Sequence, residues 1–250
     1  MATPVKISAR VERVLHHGHR VYSVSLVAER GFPRFRAGQF LHLTVDAFDP
    51  TSGFWPPSRI FSIASRAGHE RLRIVYSVKG SYTEKMEAYL APGRRVWLKL
   101  PYGHFIVEPS LAATHDLVLI AGGTGIAPFV PYLEELVDGA MLGRSVLLIY
   151  GARTPSLLLF PELLDRCARL APALTVRLYA EQLAPAEAPL PFATAALEQG
   201  ALQLDRVLEA CRGLQRPVFF VSGPPAMVDS FKRGLIACGV EPARVKIDEW

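Results

Sequence analysis

Gly122, Gly123 and Gly125 lie between the apolar run Leu117–Ala121 and Pro128, and their type and spacing suit them to hold a ligand. A strand that ends in glycines and turns into a helix leaves backbone N–H groups at the positive end of a helix dipole, where a phosphate binds. Glycine suits such a loop because a side chain would block a pyrophosphate and because some positions there take φ > 0. A tight strand–helix turn that binds nothing uses the same residues, so the motif alone leaves both readings open.

The first half of the chain carries two further segments of this kind. In Arg59-Ile-Phe-Ser-Ile-Ala-Ser65, strand alternation puts Arg59, Phe61 and Ile63 on one face and Ser62 on the other. An arginine there can clamp a diphosphate and an aromatic can cover a planar ring; the alternative is an edge strand with a surface arginine. Tyr76-Ser-Val-Lys-Gly-Ser-Tyr-Thr83 runs into a helical stretch, Thr83–Leu90. Gly80 followed by hydroxyls at a helix start is again anion-binding chemistry, with Ser81 or Thr83 as the expected N-cap; a plain cap without phosphate is the other reading. Pro101-Tyr-Gly-His-Phe105 reads as a turn after a strand.

The elements that must position these groups fall into two textures. From Val5 to Leu100 short alternating segments recur, at Val5–Leu15, His19–Leu26, Gln39–Val45, Arg71–Val78 and Arg95–Leu100, which predicts an antiparallel sandwich or barrel. After Thr114 the apolar strands Leu117–Ala121, Ser145–Tyr150, Leu174–Tyr179, Val218–Ser222 and Arg244–Ile247 alternate with helical runs at Phe129–Val137, Leu157–Leu170, Leu204–Cys211 and Ala226–Cys238. That alternation predicts a parallel sheet covered on both faces. The boundary is expected near Val107–Thr114, dividing the chain into residues 1–110 and 111–250, with Glu181–Pro191 as a surface loop.

Hydrophobic content of 50% supplies a real core, and 20% charged residues argue against general disorder. The charge is uneven: residues 1–110 hold 16 Lys/Arg against 8 Asp/Glu, and residues 111–250 hold 12 against 15. A basic first half can attract an acidic protein or an anionic cofactor. Its arginines are scattered among strands with no nucleic-acid motif, so nucleic acid is not expected. Cys167, Cys211 and Cys238 show no metal-ligand spacing and read as reduced thiols. The amino-terminal residues show no secretory h-region, and glycine and proline within Leu117–Leu133 argue against a membrane span, so a cytoplasmic protein is expected.

Taken together, five segments resemble the ferredoxin–NADP reductase family of flavoenzymes, in order and spacing, over nearly the whole chain. Arg59-Ile-Phe-Ser62 is similar to its R-x-Y/F-S/T flavin motif, Lys79-Gly-Ser-Tyr-Thr83 to its flavin-phosphate segment, and Pro101–Phe105 to its P-x-G-x-F turn. Gly122–Pro128 resembles its nicotinamide-nucleotide loop, and Ser222-Gly-Pro-Pro-Ala-Met227 its C-G-P-P-x-M segment. The resemblance implies two domains: a six-stranded antiparallel Greek-key barrel binding FAD, then an α/β domain with a five-stranded parallel sheet binding NADH or NADPH. It implies that Arg59 holds the FAD pyrophosphate, Phe61 packs on the flavin, and Ser62 lies near the flavin nitrogen that gains the hydride. Ile60, Val75, Tyr76 and Ser77 would also contact flavin, and Lys79, Gly80, Ser81 and Thr83 would cradle its phosphate. Gly123, Thr124 and Gly125 would bind the nicotinamide nucleotide with Gly223, Pro224 and Met227, and Arg153 would face its ribose. Ser62, Ser222 and Trp250 are the expected catalytic positions.

Three departures qualify the match. Ser222 replaces the family cysteine, keeping a hydrogen-bonding group without the polarisable sulfur. The sequence contains no ferredoxin-like cysteine cluster, so no fused iron–sulfur relay is expected. It finishes Asp248-Glu-Trp250, where Trp250 resembles the terminal aromatic that covers the flavin and either acid can take the place of the family's near-terminal one. Arg153 lacks a second cation in Leu157–Phe160, so NADH is expected to serve at least as well as NADPH. The implied activity is hydride transfer from NAD(P)H to flavin and onward delivery to a separate acceptor, such as a ferredoxin, flavodoxin, haem protein or oxygenase component. A non-autonomous electron-transfer subunit or regulatory module of a larger redox complex is the alternative. The expected partner is a separate redox protein, and the expected state is a monomer or weak dimer.

Overall fold

Alternation of apolar side chains builds the first sheet. The computed structural model describes residues 3–68, 70–107, 109–139, 144–183 and 196–248. Its first strands are β1 (Val5–His16), β2 (Val21–Val27), β3 (Phe40–Thr44), β4 (Arg59–Ser62) and β5 (Arg71–Ser77). Helix α1 (Ser81–Tyr89) and β6 (Arg95–Tyr102) follow. Ala9 and Val11, Val24 and Leu26, Leu41 and Leu43, Leu72 and Ile74, and Val96, Leu98 and Leu100 stand two residues apart and share one core. Each fully buried Val, Leu or Ile among them contributes about 1.5–3 kcal/mol. Tyr82, Met86 and Leu90, four residues apart, bring one face of α1 into that core.

The strand order is β4-β3-β6-β1-β2-β5, with antiparallel neighbours. Past the end of β4, the Ala64 N–H donates to the Arg73 carbonyl of β5 at 2.7 Å, so the two edges approach and the six-stranded barrel is nearly closed. Since β3 pairs with β6 and not with β2, the connectivity is the expected Greek key.

The chain divides into two compact units, one running to Ile106 with Ala127–Pro131, the other comprising Val107–Ile126 and the chain from Tyr132 onward. The second contains α2 (Pro109–Thr114), β7 (Leu117–Gly122), α3 (Val130–Val137), β8 (Val146–Ala152), α4 (Pro161–Leu170) and β9 (Leu174–Ala180). It continues through β10 (Ala196–Gln199), α5 (Leu204–Ala210), β11 (Val218–Ser222), α6 (Pro225–Ala237) and β12 (Val245–Ile247). Strands β7, β8 and β11 are buried at every residue, as a sheet covered on both faces requires. All neighbours are parallel, in the order β10-β9-β8-β7-β11-β12. The chain winds outward from β7 to β10, then returns to the other side of β7. The order therefore reverses between β7 and β11, and the carboxyl ends of strands at such a reversal are where open α/β sheets form a ligand crevice.

Three expectations need correction. The sheet has six strands, because the four-residue β10 pairs parallel with β9. The helix placed at Phe129 is preceded by a 3₁₀ segment, Gly123–Phe129, that contains Pro128 and begins at the glycine loop itself. The helix placed at Leu157 starts at Pro161; a 3₁₀ turn occupies Pro155–Leu157, and Phe160 takes a left-handed φ of 61°. A residue before proline is pushed away from the right-handed helical region, which accounts for that break. Most of the expected loop Glu181–Pro191 lies outside the described residues.

Candidate active site

In the barrel unit, α1 begins with Gly80 as N-cap, an extended residue, in place of the expected Ser81 or Thr83. Ser81 is the first helical residue, and Thr83 the third, with its hydroxyl turned back to the cap. The Thr83 Oγ1 accepts from the N–H groups of Lys79 (2.9 Å) and Gly80 (3.1 Å) and donates to the Gly80 carbonyl (2.8 Å). Those three bonds use the capacity of one hydroxyl, so Thr83 shapes the loop and does not itself reach for a phosphate. The first N–H groups of α1 have no acceptor within the helix. Nothing lies within 4 Å of a Cβ placed on Gly80, so that end of the helix is uncovered. Lys79 and Ser81 are exposed beside it.

Arg59 reaches this helix start. Its guanidinium carbon lies 4.7 Å from the centroid of the Tyr82 ring, and its Nη1 donates to the Ser58 carbonyl at 3.0 Å. Tyr82 is fixed in turn: its hydroxyl donates toward the Pro57 carbonyl (2.9 Å), lies 3.2 Å from Thr44 Oγ1, and accepts from the Val45 N–H (3.3 Å). An exposed guanidinium and an open helix N-terminus thus stand together, an arrangement that fits a diphosphate. Tyr82 lies inside the Lys79–Thr83 segment, but the sequence assigns it no role of its own, because its contact with Arg59 is made only by the fold.

The remaining flavin candidates sort by depth. Ser62 and Ile60 are half-buried on the outer face of β4, and Ser62 pairs in register with Phe40, on whose ring Tyr102 stacks at 5.6 Å. Phe61 is opposite Leu41 in the core cluster, and its ring meets Tyr76 edge-on at 6.1 Å. Little of the Phe61 ring is left free to cover a planar ligand. Tyr76 is in the same core, Val75 is buried, and Ser77 is half-buried at the end of β5.

In the second unit, the glycines divide into two kinds. A Cβ on Gly125 would strike the Ser222 carbonyl and the backbone of Gly223, and one on Gly122 would meet the Met227 sulfur at 2.5 Å and Pro224 Cδ at 3.0 Å. These two are glycine because the loops after β7 and β11 pack backbone against backbone. Only Gly123 meets the ligand-access expectation: φ is +54° and a Cβ there would face open space. Thr124 is half-buried next to it. Both the 3₁₀ segment from Gly123 and α6 from Pro225 start at the reversal crevice, so their positive ends meet there, an arrangement that fits a nucleotide phosphate. Gly223, with φ of 156°, Pro224 and Met227 form the opposite wall.

Ser222, 2% exposed, ends β11 in this crevice. Its hydroxyl donates to Asp248 Oδ2 at 2.8 Å. Asp248 Oδ1 is buried and has no hydrogen-bond partner among the described residues. Burial raises the Asp248 carboxyl to about 8, against the lowering effect of the Ser222 hydrogen bond. A neutral carboxyl with one free oxygen beside a glycine loop can hold a proton or a carboxamide. The sequence left Asp248 and Glu249 as equal candidates; Glu249 and Trp250 lie outside the described residues. Arg153 is exposed after β8, where Thr154 and Ser156 bond to each other through their hydroxyls at 3.1 Å. No helix among the described residues is long and apolar enough to cross a membrane.

Comparison with known proteins agrees with this geometry. Residues 119–233 match the family model for an oxidoreductase NAD-binding domain. The chain is similar to terephthalate 1,2-dioxygenase reductase component 1 of Comamonas, with 31% identity over 142 residues, 56% of this chain and 39% of that protein. It thus spans about two fifths of that relative's length. Among solved structures, the cytochrome P450 reductase GcoB of Amycolatopsis superposes with a TM-score of 0.79 at 23% identity, covering 98% of this chain and 70% of that one. A ferredoxin NADP+ reductase from Neisseria gonorrhoeae with bound FAD and NADP gives 0.73 at 19% identity, covering 99% and 98%. Residues 119–233 are thus an oxidoreductase NAD-binding domain, and the antiparallel barrel and the parallel-sheet unit together have the two-domain fold of the ferredoxin–NADP reductase-like enzymes.

Proposed function

We propose that this chain is an FAD-dependent reductase that takes hydride from NADH or NADPH and delivers electrons to a separate acceptor, an oxygenase component or haem protein. The observation that carries the reading is the strand-order reversal of the second unit, where an open Gly123 begins one helical segment after β7, α6 begins at Pro225 after β11, and Ser222 at the end of β11 is paired with buried Asp248. Its match to an NAD-binding oxidoreductase domain supports the nucleotide assignment. The reductase component of Comamonas and the P450 reductase of Amycolatopsis support the choice of acceptor.

When bound, the flavin accepts the two electrons of a nicotinamide hydride and releases them singly. The residues of this chain place and protect. Arg59, seated on Tyr82, and the open start of α1 neutralise a diphosphate, while Thr83 holds the Lys79–Gly80 backbone in the shape that leaves that start uncovered. Ser62 presents a half-buried hydroxyl at the edge of the barrel. In the crevice, Gly123 admits the nucleotide backbone, and Asp248 holds the Ser222 hydroxyl while its own Oδ1 is free to meet a polar group. The 16 Lys/Arg of residues 1–110 against 8 Asp/Glu favour an acceptor with an acidic face.

The test is purification, identification of the flavin released on denaturation, and assay of NADH- and NADPH-dependent dye reduction by the chain alone. FAD together with autonomous turnover is the expected result. Finding FMN, or no flavin after supplementation with FAD, overturns the cofactor assignment; an FAD-loaded chain that does not turn over overturns the enzyme.

A further inference from the structure

Tyr150 stands on β8 with no solvent exposure, and its hydroxyl touches two segments that the chain keeps far apart. It lies 2.9 Å from the Gly123 carbonyl and 3.4 Å from the Leu157 carbonyl, and it accepts from the Leu159 N–H at 3.0 Å. The phenol proton goes to Gly123, the nearer acceptor, and the lone pair takes the Leu159 donor. One side of this contact is the only residue of the glycine loop with both a left-handed φ and open space before it. The other closes the turn that carries exposed Arg153 and the Thr154–Ser156 hydroxyl pair. Gly123 has no side chain with which to hold itself, and among the described residues no side chain of its own loop donates to its carbonyl. Burial raises the Tyr150 phenol, which keeps the donor protonated at any physiological pH.

We propose that Tyr150 is a positioning residue that locks the Gly123 loop and the Arg153–Leu159 turn into one geometry, so that the two ends of a dinucleotide are bound as a unit. The proposal rests on the nucleotide reading of the crevice given above. In Tyr150→Phe the ring is kept, and the loops lose their shared bond and can shift separately. A dinucleotide that needs both is then held more weakly, whereas a mononucleotide that occupies one end is not. Loss of a typical net hydrogen bond corresponds to a roughly 3- to 10-fold weakening.

The experiment compares wild type and Tyr150→Phe, both loaded with FAD, by calorimetric titration with NAD+, with NADP+ and with adenosine 5′-monophosphate. Expected is a roughly 3- to 10-fold rise in Kd for the dinucleotide that wild type prefers, a change within about twofold for the mononucleotide, and a raised KM with kcat preserved. Equal weakening of both ligands marks a general loss of folded protein and overturns the proposal, as does an unchanged dinucleotide Kd. Wild type that binds neither dinucleotide overturns the nucleotide reading and this inference with it, a result separate from either of those. Should Tyr150→Phe not fold, amide exchange on wild type decides: NAD+ or NADP+ must slow exchange in peptides spanning Gly122–Gly125 and Leu157–Leu159 together. Protection of the first alone overturns the lock.

Discussion

The Ser222 hydroxyl donates to Asp248 Oδ2 at 2.8 Å across two adjacent parallel strands, with both residues buried. Strand pairing sets the contact: Val221 is opposite Ile247, and the Asp248 N–H donates to the Val221 carbonyl at 3.0 Å, which brings Asp248 level with Ser222. Ser222, at the position where the resembled segment carries cysteine, therefore has a hydrogen-bond partner of its own.

The first expected outcome concerns pH. The Asp248 carboxyl is raised to about 8 from 3.8, chiefly by burial. Between those values the folded chain keeps a proton that the unfolded chain has released. Its contribution to stability is therefore complete below about pH 4 and declines as pH rises to about 8, by up to about 1.4 kcal/mol per unit. Asp248→Asn, neutral at every pH, should flatten that decline in denaturation midpoints taken from pH 5 to 9. A slope equal to that of the parent would show that Asp248 ionises freely.

Arg59→Ala should lose flavin more than fold. A charge-assisted bond to phosphate contributes about 1.5–3 kcal/mol, which weakens flavin retention tenfold or more, while the exposed arginine itself leaves no cavity. Tyr82→Phe should show a smaller loss in the same direction, because the ring under Arg59 stays while its hydroxyl anchors to Pro57 and Val45 go. Flavin content after gel filtration reads both. Retention equal to the parent in Arg59→Ala would reduce Arg59 to a surface residue.

Thr83 separates shape from contact. Thr83→Ala should cost about 1 kcal/mol of stability by freeing the Lys79 and Gly80 N–H groups, and should weaken flavin binding through the altered loop. Thr83→Ser keeps the hydroxyl and should restore both, as thermal melts and flavin titration would show. Loss of flavin affinity in the serine variant as well would place the threonine methyl, and not the hydroxyl bonds, at the centre of the effect.

The two kinds of glycine predict two kinds of defect. Gly125→Ala forces a methyl into the backbone of Gly223 and should lower the melting temperature by roughly 5–10 °C. Gly123→Ala has room and incurs only a left-handed conformation, about 1–2 kcal/mol, so it should fold and show its main loss in nucleotide affinity. Equal melting temperatures for the two variants would contradict the assignment.

NADH should serve at least as well as NADPH, and Arg153→Ala should leave its KM within about twofold, since among the described residues 154–160 there is no second cation to join Arg153 around a 2′-phosphate. Steady-state constants with both nucleotides measure this; a catalytic efficiency strongly favouring NADPH would reverse the assignment.

Where the sequence read well, the physics was local. Val218–Ser222 is strand from end to end, and the glycine-punctuated run at Leu117 is a buried strand feeding a helix. Most of the misreadings come from tertiary neighbours, and one from a local signal that an apolar run overrode. Gly122 and Gly125 look like ligand-access glycines until Met227, Pro224 and Gly223 are seen against them. Strand β10 pairs parallel with the edge of β9, a tertiary partnership that residues 196–199 do not announce by themselves. Asp248 was undecidable against Glu249 because one residue of register, set by β11, separates them. The break before α4 was legible, since Phe160 precedes Pro161, but the apolar run Leu157–Phe160 masked it.

The seat of Arg59 on Tyr82 has a consequence for how the barrel acquires its cofactor. A long cationic side chain ordinarily surrenders about 2 kcal/mol of rotamer freedom when it grips a ligand. Here the ring at 4.7 Å and the Ser58 carbonyl restrict that freedom as soon as the chain folds. Apoprotein should therefore reconstitute with flavin readily, without a slow ordering phase. On the proposed assignment of Arg59 to the flavin diphosphate, repeated cycles of flavin removal and reloading should leave the reloading rate unchanged.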